Sequence, residues 1–411
     1  MTDGHIRGTS QRLRIAYFSP LSPIRSGISD YSETLLPELA KYADLDLFVD
    51  GYRPASDSIT ARFAVYDANT DRIWRLPQYH LALYHLGNNP YHAYIYKALR
   101  YRPGIVVLHD ALLHHLIVEE TLAKQDRYSY VREMGYAHGR EGAVLALAVA
   151  RRQRVIPYFE FPLLTRAVDL SLGVIVHSNF ARAAVLKANS GARVAQIPHF
   201  AWPQLQPFSG DLAWLRRDLG LDPAELVISS FGWATPTKRV DVILRAYRRL
   251  RERWPCSRLL WVGEAPAWFD LHSLIDSYGL SPYVTVTGYT DEAKFIAYIA
   301  ASDVCLSLRY PTAGETSGAV LRLMGMAKAV IVSDVGWFSE LPADCCLRVP
   351  VDDGEEDNLV AGIEKLASDF EYRAQLGQNA RRYVELNNRL EDVAGRYAEF
   401  LTEVWQHVVQ P

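Results

Sequence analysis

Residues Arg309–Gly336 read RYPTAGETSGAVLRLMGMAKAVIVSDVG. The apolar run VCLSL comes just before them. It meets a small-residue turn, Gly314-Glu315-Thr316-Ser317-Gly318, and a helical pattern over Ala319–Ala327 follows. The chain then returns to a strand-like run, Val330–Val332. A buried strand that hands over to a helix and then to another buried strand is the unit of a parallel α/β sheet. Thr316 or Ser317 can cap that helix, and Gly318 lets backbone N–H groups approach an anion. Glu315 reads equally well as an ordinary acidic residue near a helix start or as a ligand contact.

The same alternation runs along the chain. RIAYFS, DLDLFV, HLALYHLG, GIVVLHD, GVIVHS and RVAQIP read as strands, with helical stretches such as Tyr31–Tyr42, Ala93–Tyr101 and Ala181–Ala188 between them. A Pro- and aromatic-rich segment, PHFAWPQLQPFSGD (Pro198–Asp211), interrupts the pattern. A second series follows: ELVISSFG, RLLWVGE, YVTVTGYT, DVCLSL, AVIVSD and CCLRVP, with helices at Val240–Trp254 and Glu292–Ala301. Near-continuous apolar strands imply sheets covered on both faces. The expectation is two doubly wound Rossmann-like domains, at 1–205 and 206–385. A terminal helical segment, 386–411, is expected to cross back to the first.

Composition narrows the function. The 411 residues are 49% hydrophobic and 22% charged, with a net charge of −3. A chain that neutralises nucleic-acid phosphates is normally more basic, so that partner is disfavoured. The four cysteines form no C-x-x-C pair, which fits a reduced, cytoplasmic protein. The N-terminal MTDGHIRGTSQRLR lacks the apolar core of a signal peptide, and no apolar run is long enough to span a bilayer. The basic helix RAYRRLRERW (245–254) leaves peripheral membrane contact open, although a solvated face is the plainer reading.

Ligands in doubly wound sheets sit beyond the carboxyl ends of the strands. In the second series, Lys238 and Arg239 follow a strand and open a helix. Cations are unusual there unless they face an anion. Gly263 and Gly288 end two further strands and read as ligand-approach or plain turn glycines. In the first series, Ser26-Gly27 opens a helix after a strand without the G-x-G-x-x-G of a dinucleotide site. His109 and Asp110 end the strand GIVVLHD. His85, Asn88, Asn89 and His92 offer polar groups suited to sugar hydroxyls, with Tyr91 and Tyr94 as stacking surfaces; an Asn-rich turn capping a helix explains them as well. No metal is expected. His114 and His115 are adjacent on a helix and diverge by about 100°. Asp44–Asp46 reads as strand, and VDDGEED as a solvated loop leading into a helix.

The order strand-FG-then-Lys238, strand-VGE, strand-GYT, Glu-turn-helix and VIVSDVG resembles the retaining glycosyltransferases of the GT4 family, with the GT-B fold. The resemblance covers nearly the whole chain. It implies a sugar moved from a UDP- or GDP-hexose to a glycan, lipid-linked or small-molecule acceptor, with no metal or other cofactor. It places His109, Asp110, Glu315 and Lys238 in catalysis. Gly27, Arg239, Gly263, Glu264, Gly288, Tyr289, Thr290, Arg309, Gly314, Thr316, Ser317, Gly318 and Arg322 fall on the donor side, and His85, Asn88, Asn89 and His92 on the acceptor side. Three positions depart from the family pattern. Gly314 and Arg322 stand where a pair of Glu residues would, and Trp233 follows Phe231-Gly232 in place of a cation. These departures keep open a second reading, a non-catalytic sugar-nucleotide-binding or assembly subunit.

Overall fold

The computed structural model describes residues 12–71 and 78–409. The N-terminal stretch read against a signal peptide lies mostly outside the described residues. The chain divides into two compact units. One comprises 1–177, 181–197 and 391–411, and the other comprises 178–180 and 198–390. The boundary therefore falls at Pro198, at the start of the Pro- and aromatic-rich segment, rather than at 206. His199 and Ala201 explain this: Asn388 Nδ2 donates to the His199 carbonyl at 2.6 Å, and the Ala201 amide donates to the Asn388 carbonyl at 2.7 Å. These bonds tie the start of the segment into the second unit, which contains the rest of it.

The first unit holds seven strands: β1 (Arg14–Phe18), β2 (Asp44–Val49), β3 (Ala64–Asp67), β4 (Leu81–Leu86), β5 (Gly104–Leu108), β6 (Ser171–Val176) and β7 (Val194–Gln196). They pair in parallel in the order β3-β2-β1-β4-β5-β6-β7. Every residue of β4 and β5 is buried, as their unbroken apolar sequence requires in a sheet covered on both faces. The edge strand β3 is only four residues long, and its residues are half-exposed or exposed. Between β5 and β6 lies a helical insertion that the sequence pattern did not reveal, Arg127–Ala150 being its longest element. That helix breaks at His138–Gly139, where Gly139 adopts φ +60°, a conformation glycine tolerates.

The second unit holds β8 (Leu226–Phe231), β9 (Ser257–Val262), β10 (Val284–Val286), β11 (Val304–Ser307), β12 (Val330–Ser333) and β13 (Leu347–Val349). All pair in parallel, in the order β10-β9-β8-β11-β12-β13. Their core is aliphatic around Trp261 and Tyr247.

The last helix, Leu390–Val409, belongs to the first unit from Glu391 onward. Val393, Ala394, Tyr397, Phe400, Leu401 and Val404 recur at helical spacing and are all buried. Tyr397 shares a 2.8 Å hydrogen bond with Tyr31. Gly173 has no Cβ, and one built there would stand 2.8 Å from the Phe400 ring. The basic helix Val240–Arg253 is not a free surface. Arg245 and Arg249 bond Glu356 at 2.9 Å each, Arg249 bonds Asp357 at 2.7 Å, and Arg253 bonds Glu364 at 2.8 Å. The supposedly solvated loop VDDGEED supplies three of the acids this face meets: Glu355 to Arg239, and Glu356 and Asp357 to the helix arginines. Among the described residues, no helix is long and apolar enough to cross a membrane.

Candidate active site

In the second unit the chain leaves β8 toward β9 on one side and β11 toward β12 on the other. That reversal opens a crevice at the carboxyl ends of β8 and β11. The loops after these two strands are joined at Thr237. The Tyr310 amide donates to its carbonyl at 2.7 Å, and Arg309 reaches its hydroxyl at 3.5 Å. Lys238, the next residue, is half-buried, and its ammonium donates to the Phe231 carbonyl. Burial lowers its pKa to about 7. The positive charge of Arg309 pushes the same way, and Glu315 works against both. Gly232 makes room for this ammonium: a Cβ there would stand 2.6 Å from Nζ.

Glu315 is turned into its own loop. Oε1 lies 2.6 Å from Arg309 Nε, and Oε2 accepts from the Thr312 hydroxyl at 3.0 Å and the Ala313 amide at 2.9 Å. Gly314 supplies the φ of +77° that this turn needs. The carboxylate therefore shapes the loop and holds Arg309, rather than presenting open oxygens to a sugar as the sequence suggested. Ser317 caps the helix Gly318–Gly325, accepting from the Val320 amide at 3.3 Å. The hydroxyl of Thr316 is buried and makes no hydrogen bond within the protein.

Two cations expected on the donor side are committed elsewhere. Arg239 makes a forked pair with Glu355, a carboxylate only 3% exposed. A buried acid takes such a partner because leaving it bare is costly. Arg322 lies with its guanidinium 3.4 Å over the Trp202 ring. Gly263 answers a backbone requirement: at φ +146°, a Cβ would come within 2.3 Å of the Gly232 carbonyl. Gly288 is a turn glycine at φ +70° with open space around it. Glu264 accepts from the Ala234 amide through its carbonyl at 2.8 Å, Tyr289 is exposed, and Thr290 is half-buried.

In the first unit the strand order reverses between β1 and β4. Ser26 caps the helix Gly27–Leu39, and the space where Gly27 would carry a side chain is open. His109 follows β5 and is half-buried, and its amide donates to the Leu86 carbonyl at 2.9 Å. Its Nε2 lies 3.0 Å from His85 Nδ1. Asp110 accepts from the Asn88 amide at 2.7 Å, so it orders the loop after β4.

The acceptor-side expectations need correction. His85 and His92 are fully buried, and burial pulls His92 down to about 4. With both side chains fully buried, neither is presented at the protein surface. Asn88 caps the helix His114–Glu120 through Oδ1 and also bonds His115. Asn89 caps the turn Pro90–His92. His114 and His115 diverge as expected. The first bonds the Phe161 carbonyl and the Tyr130 hydroxyl, and the second stacks on Tyr158 at 3.9 Å. Among the described residues no cluster of three His, Cys, Asp or Glu is arranged to hold a metal ion. Sequence reasoning passed over His177, whose ring lies 5.2 Å from that of His109. The repeated pattern of an apolar strand ending in His, VVLH and VIVH, was the available signal.

Residues 214–383 match the family of glycosyl transferases group 1. The match lies wholly within the second unit and contains Lys238, Arg309, Glu315 and the capped helix. Relatives by sequence include the alpha-D-kanosaminyltransferase of Streptomyces kanamyceticus, 28% identical over 46% of this chain and 48% of that protein. The D-inositol 3-phosphate glycosyltransferase of Stackebrandtia nassauensis is 28% identical over 46% of this chain and 45% of its own length. The chain thus aligns with about half the length of these curated relatives. In three dimensions it is similar to sucrose-phosphate synthase from Thermosynechococcus elongatus, with a TM-score of 0.69, 17% identity, and coverage of 96% of this chain and 100% of that one. Anabaena HepE in complex with UDP and glucose superposes with a TM-score of 0.65 at 18% identity, over 95% of this chain and 100% of that one. At these identities the likeness carries the fold alone: two Rossmann-like parallel-sheet units, the GT-B architecture.

Proposed function

We propose that this chain is a glycosyltransferase that moves a hexose from a nucleoside-diphosphate sugar, UDP- or GDP-linked, to a glycan, lipid-linked or small-molecule acceptor with retention at the anomeric carbon. The observation that carries this reading is the pairing of Lys238 with Arg309 at the sheet reversal, beside the capped helix Gly318–Gly325. As the anomeric bond breaks, negative charge grows on the leaving diphosphate. Arg309, Lys238 in its charged form and a helix N-terminus would stabilise that charge. The phosphate charge is met by protein groups, so the reaction needs no metal. The matched family, the relatives' names and the UDP complex of HepE support the donor class. In this reading His109 donates to a hydroxyl of the transferred sugar, and the unsatisfied Thr316 hydroxyl turns to the donor.

The test is calorimetric titration with UDP and GDP, followed by transfer and donor-hydrolysis assays run with and without chelator. Binding of a nucleoside diphosphate with chelator-insensitive turnover supports the proposal. Failure to bind any nucleoside diphosphate ends it. A non-catalytic sugar-nucleotide binder is the second reading. It is favoured by Arg322, which puts a stacked guanidinium where the family pattern has a carboxylate. Tight donor binding without turnover across acceptors would select it.

A further inference from the structure

The histidines behind His109 form a small buried system. His85 lies in β4, is fully buried, and brings Nδ1 to within 3.0 Å of His109 Nε2. Its other nitrogen, Nε2, is buried with no hydrogen-bond partner. His92 shows how this interior treats an imidazole. Its Nδ1 donates to the His85 carbonyl at 2.9 Å, and its Nε2 is buried without a partner. In that arrangement the proton is used and a bare lone pair is left over. The opposite arrangement would bury an orphaned N–H, which native structures largely avoid.

The same rule decides the contact between His85 and His109. One of the two facing nitrogens carries the proton. If His109 Nε2 were the donor, His85 would hold its own proton on Nε2, where nothing accepts it. If His85 Nδ1 is the donor, the leftover atom on His85 is a lone pair. Burial, with the nearby His177 and His92, pushes the His85 pKa well down, so its ring carries a single proton. The rings of Tyr17, 4.7 Å away, and Tyr31, 5.9 Å away, pack against His85, and neither is placed by an observed hydrogen bond to take a proton from Nε2.

We propose that His85 is a positioning residue: by donating its Nδ1 proton to His109 Nε2, it fixes the ring of His109 and holds it in the tautomer protonated at Nδ1. In that tautomer His109 carries its proton on Nδ1 and accepts at Nε2. The consequence for sugar binding rests on the transferase reading above, but the tautomer does not.

The experiment is long-range proton–nitrogen correlation NMR on protein carrying 15N-labelled histidine side chains. Loss of signals in His109→Gln assigns the ring. The expected wild-type spectrum shows a pyrrole-type Nδ1 and a pyridine-type Nε2 for His109. The same pattern should persist in His85→Asn, whose amide can still donate, and shift toward a protonated Nε2 in His85→Phe. A pyrrole-type Nε2 on wild-type His109 overturns the proposal, as does an unchanged tautomer in folded His85→Phe. If His85→Phe does not fold, the wild-type and His85→Asn spectra decide. Where transfer is measurable, kcat should fall in His85→Phe while the donor KM holds. A chain with the expected spectrum and no transfer with any donor would count against the transferase reading and leave the tautomer assignment standing.

Discussion

Arg309 Nε sits 2.6 Å from Glu315 Oε1, and burial, with the charge on Arg309, pulls the ammonium of Lys238 down to about 7. The acid holds one cation in place, and that cation unsettles the other. In the transferase reading, a diphosphate between them would relieve the repulsion.

Replacing Lys238 with Met should therefore weaken binding of UDP or GDP while leaving the fold intact. A charge-assisted hydrogen bond contributes about 1.5–3 kcal/mol, so the expected loss is roughly 10- to 100-fold. Titration calorimetry reads the loss, and a folded variant with unchanged affinity would count against the clamp.

The same lysine predicts a pH dependence. Its folded pKa of about 7 lies below the ordinary 10.5, so between these values the unfolded chain binds more protons than the folded one. Stability from this group therefore rises with pH across that window, and the strain is fully present below it. Binding runs the other way. The anion prefers the charged ammonium, so affinity should fall as pH rises above about 7, with uptake of up to one proton per complex. Calorimetry in buffers of different ionisation enthalpy measures that proton, and Lys238→Met should abolish it.

Arg239 provides the contrast, because it is an expected donor residue that the structure commits elsewhere. Arg239→Met leaves Glu355 buried and unpaired, which typically costs about 3–5 kcal/mol of stability. Chemical denaturation should show this loss, and adding Glu355→Gln should recover much of it. Nucleotide affinity per folded molecule should stay within about threefold, a change of under 1 kcal/mol. A large affinity loss at unchanged stability would return Arg239 to the site.

Glu315→Gln tests the loop. The neutral amide can still accept from Ala313 and Thr312, but the ion pair with Arg309 goes. Stability should fall by about 1–3 kcal/mol. Donor affinity should change as well, because Arg309 is no longer held. A melting temperature and nucleotide affinity both equal to wild type would show that the pair does nothing.

His109→Ala should lower turnover more than donor affinity, since its contact is proposed to matter at the reacting sugar. Equal losses in kcat and in nucleotide binding would remove that role.

Much of this protein could be read along the chain. The runs HLALYHLG and GIVVLHD became β4 and β5 because a strand buried on both faces must be apolar throughout, and such a run is visible without its neighbours. That the loops carrying Lys238, Arg309 and Glu315 share one edge is legible for a related reason: a parallel sheet puts every strand's carboxyl end on one edge. Local pattern failed where an element had no such signature. The edge strand β3 is half-exposed, and the helix Arg127–Ala150 is broken at Gly139.

Side-chain partnerships were decided in space. Arg239 and Arg309 look alike in sequence, yet one is closed by Glu355, a residue 116 positions away, and the other stands beside Lys238. His85 looked like a sugar contact and is an interior residue whose nearest chemistry is His109. Strand and helix type follow from periodicity, a property of neighbours along the chain. Whether a charge is free, neutralised or buried depends on groups that only folding brings within a few ångströms, and no spacing rule records them.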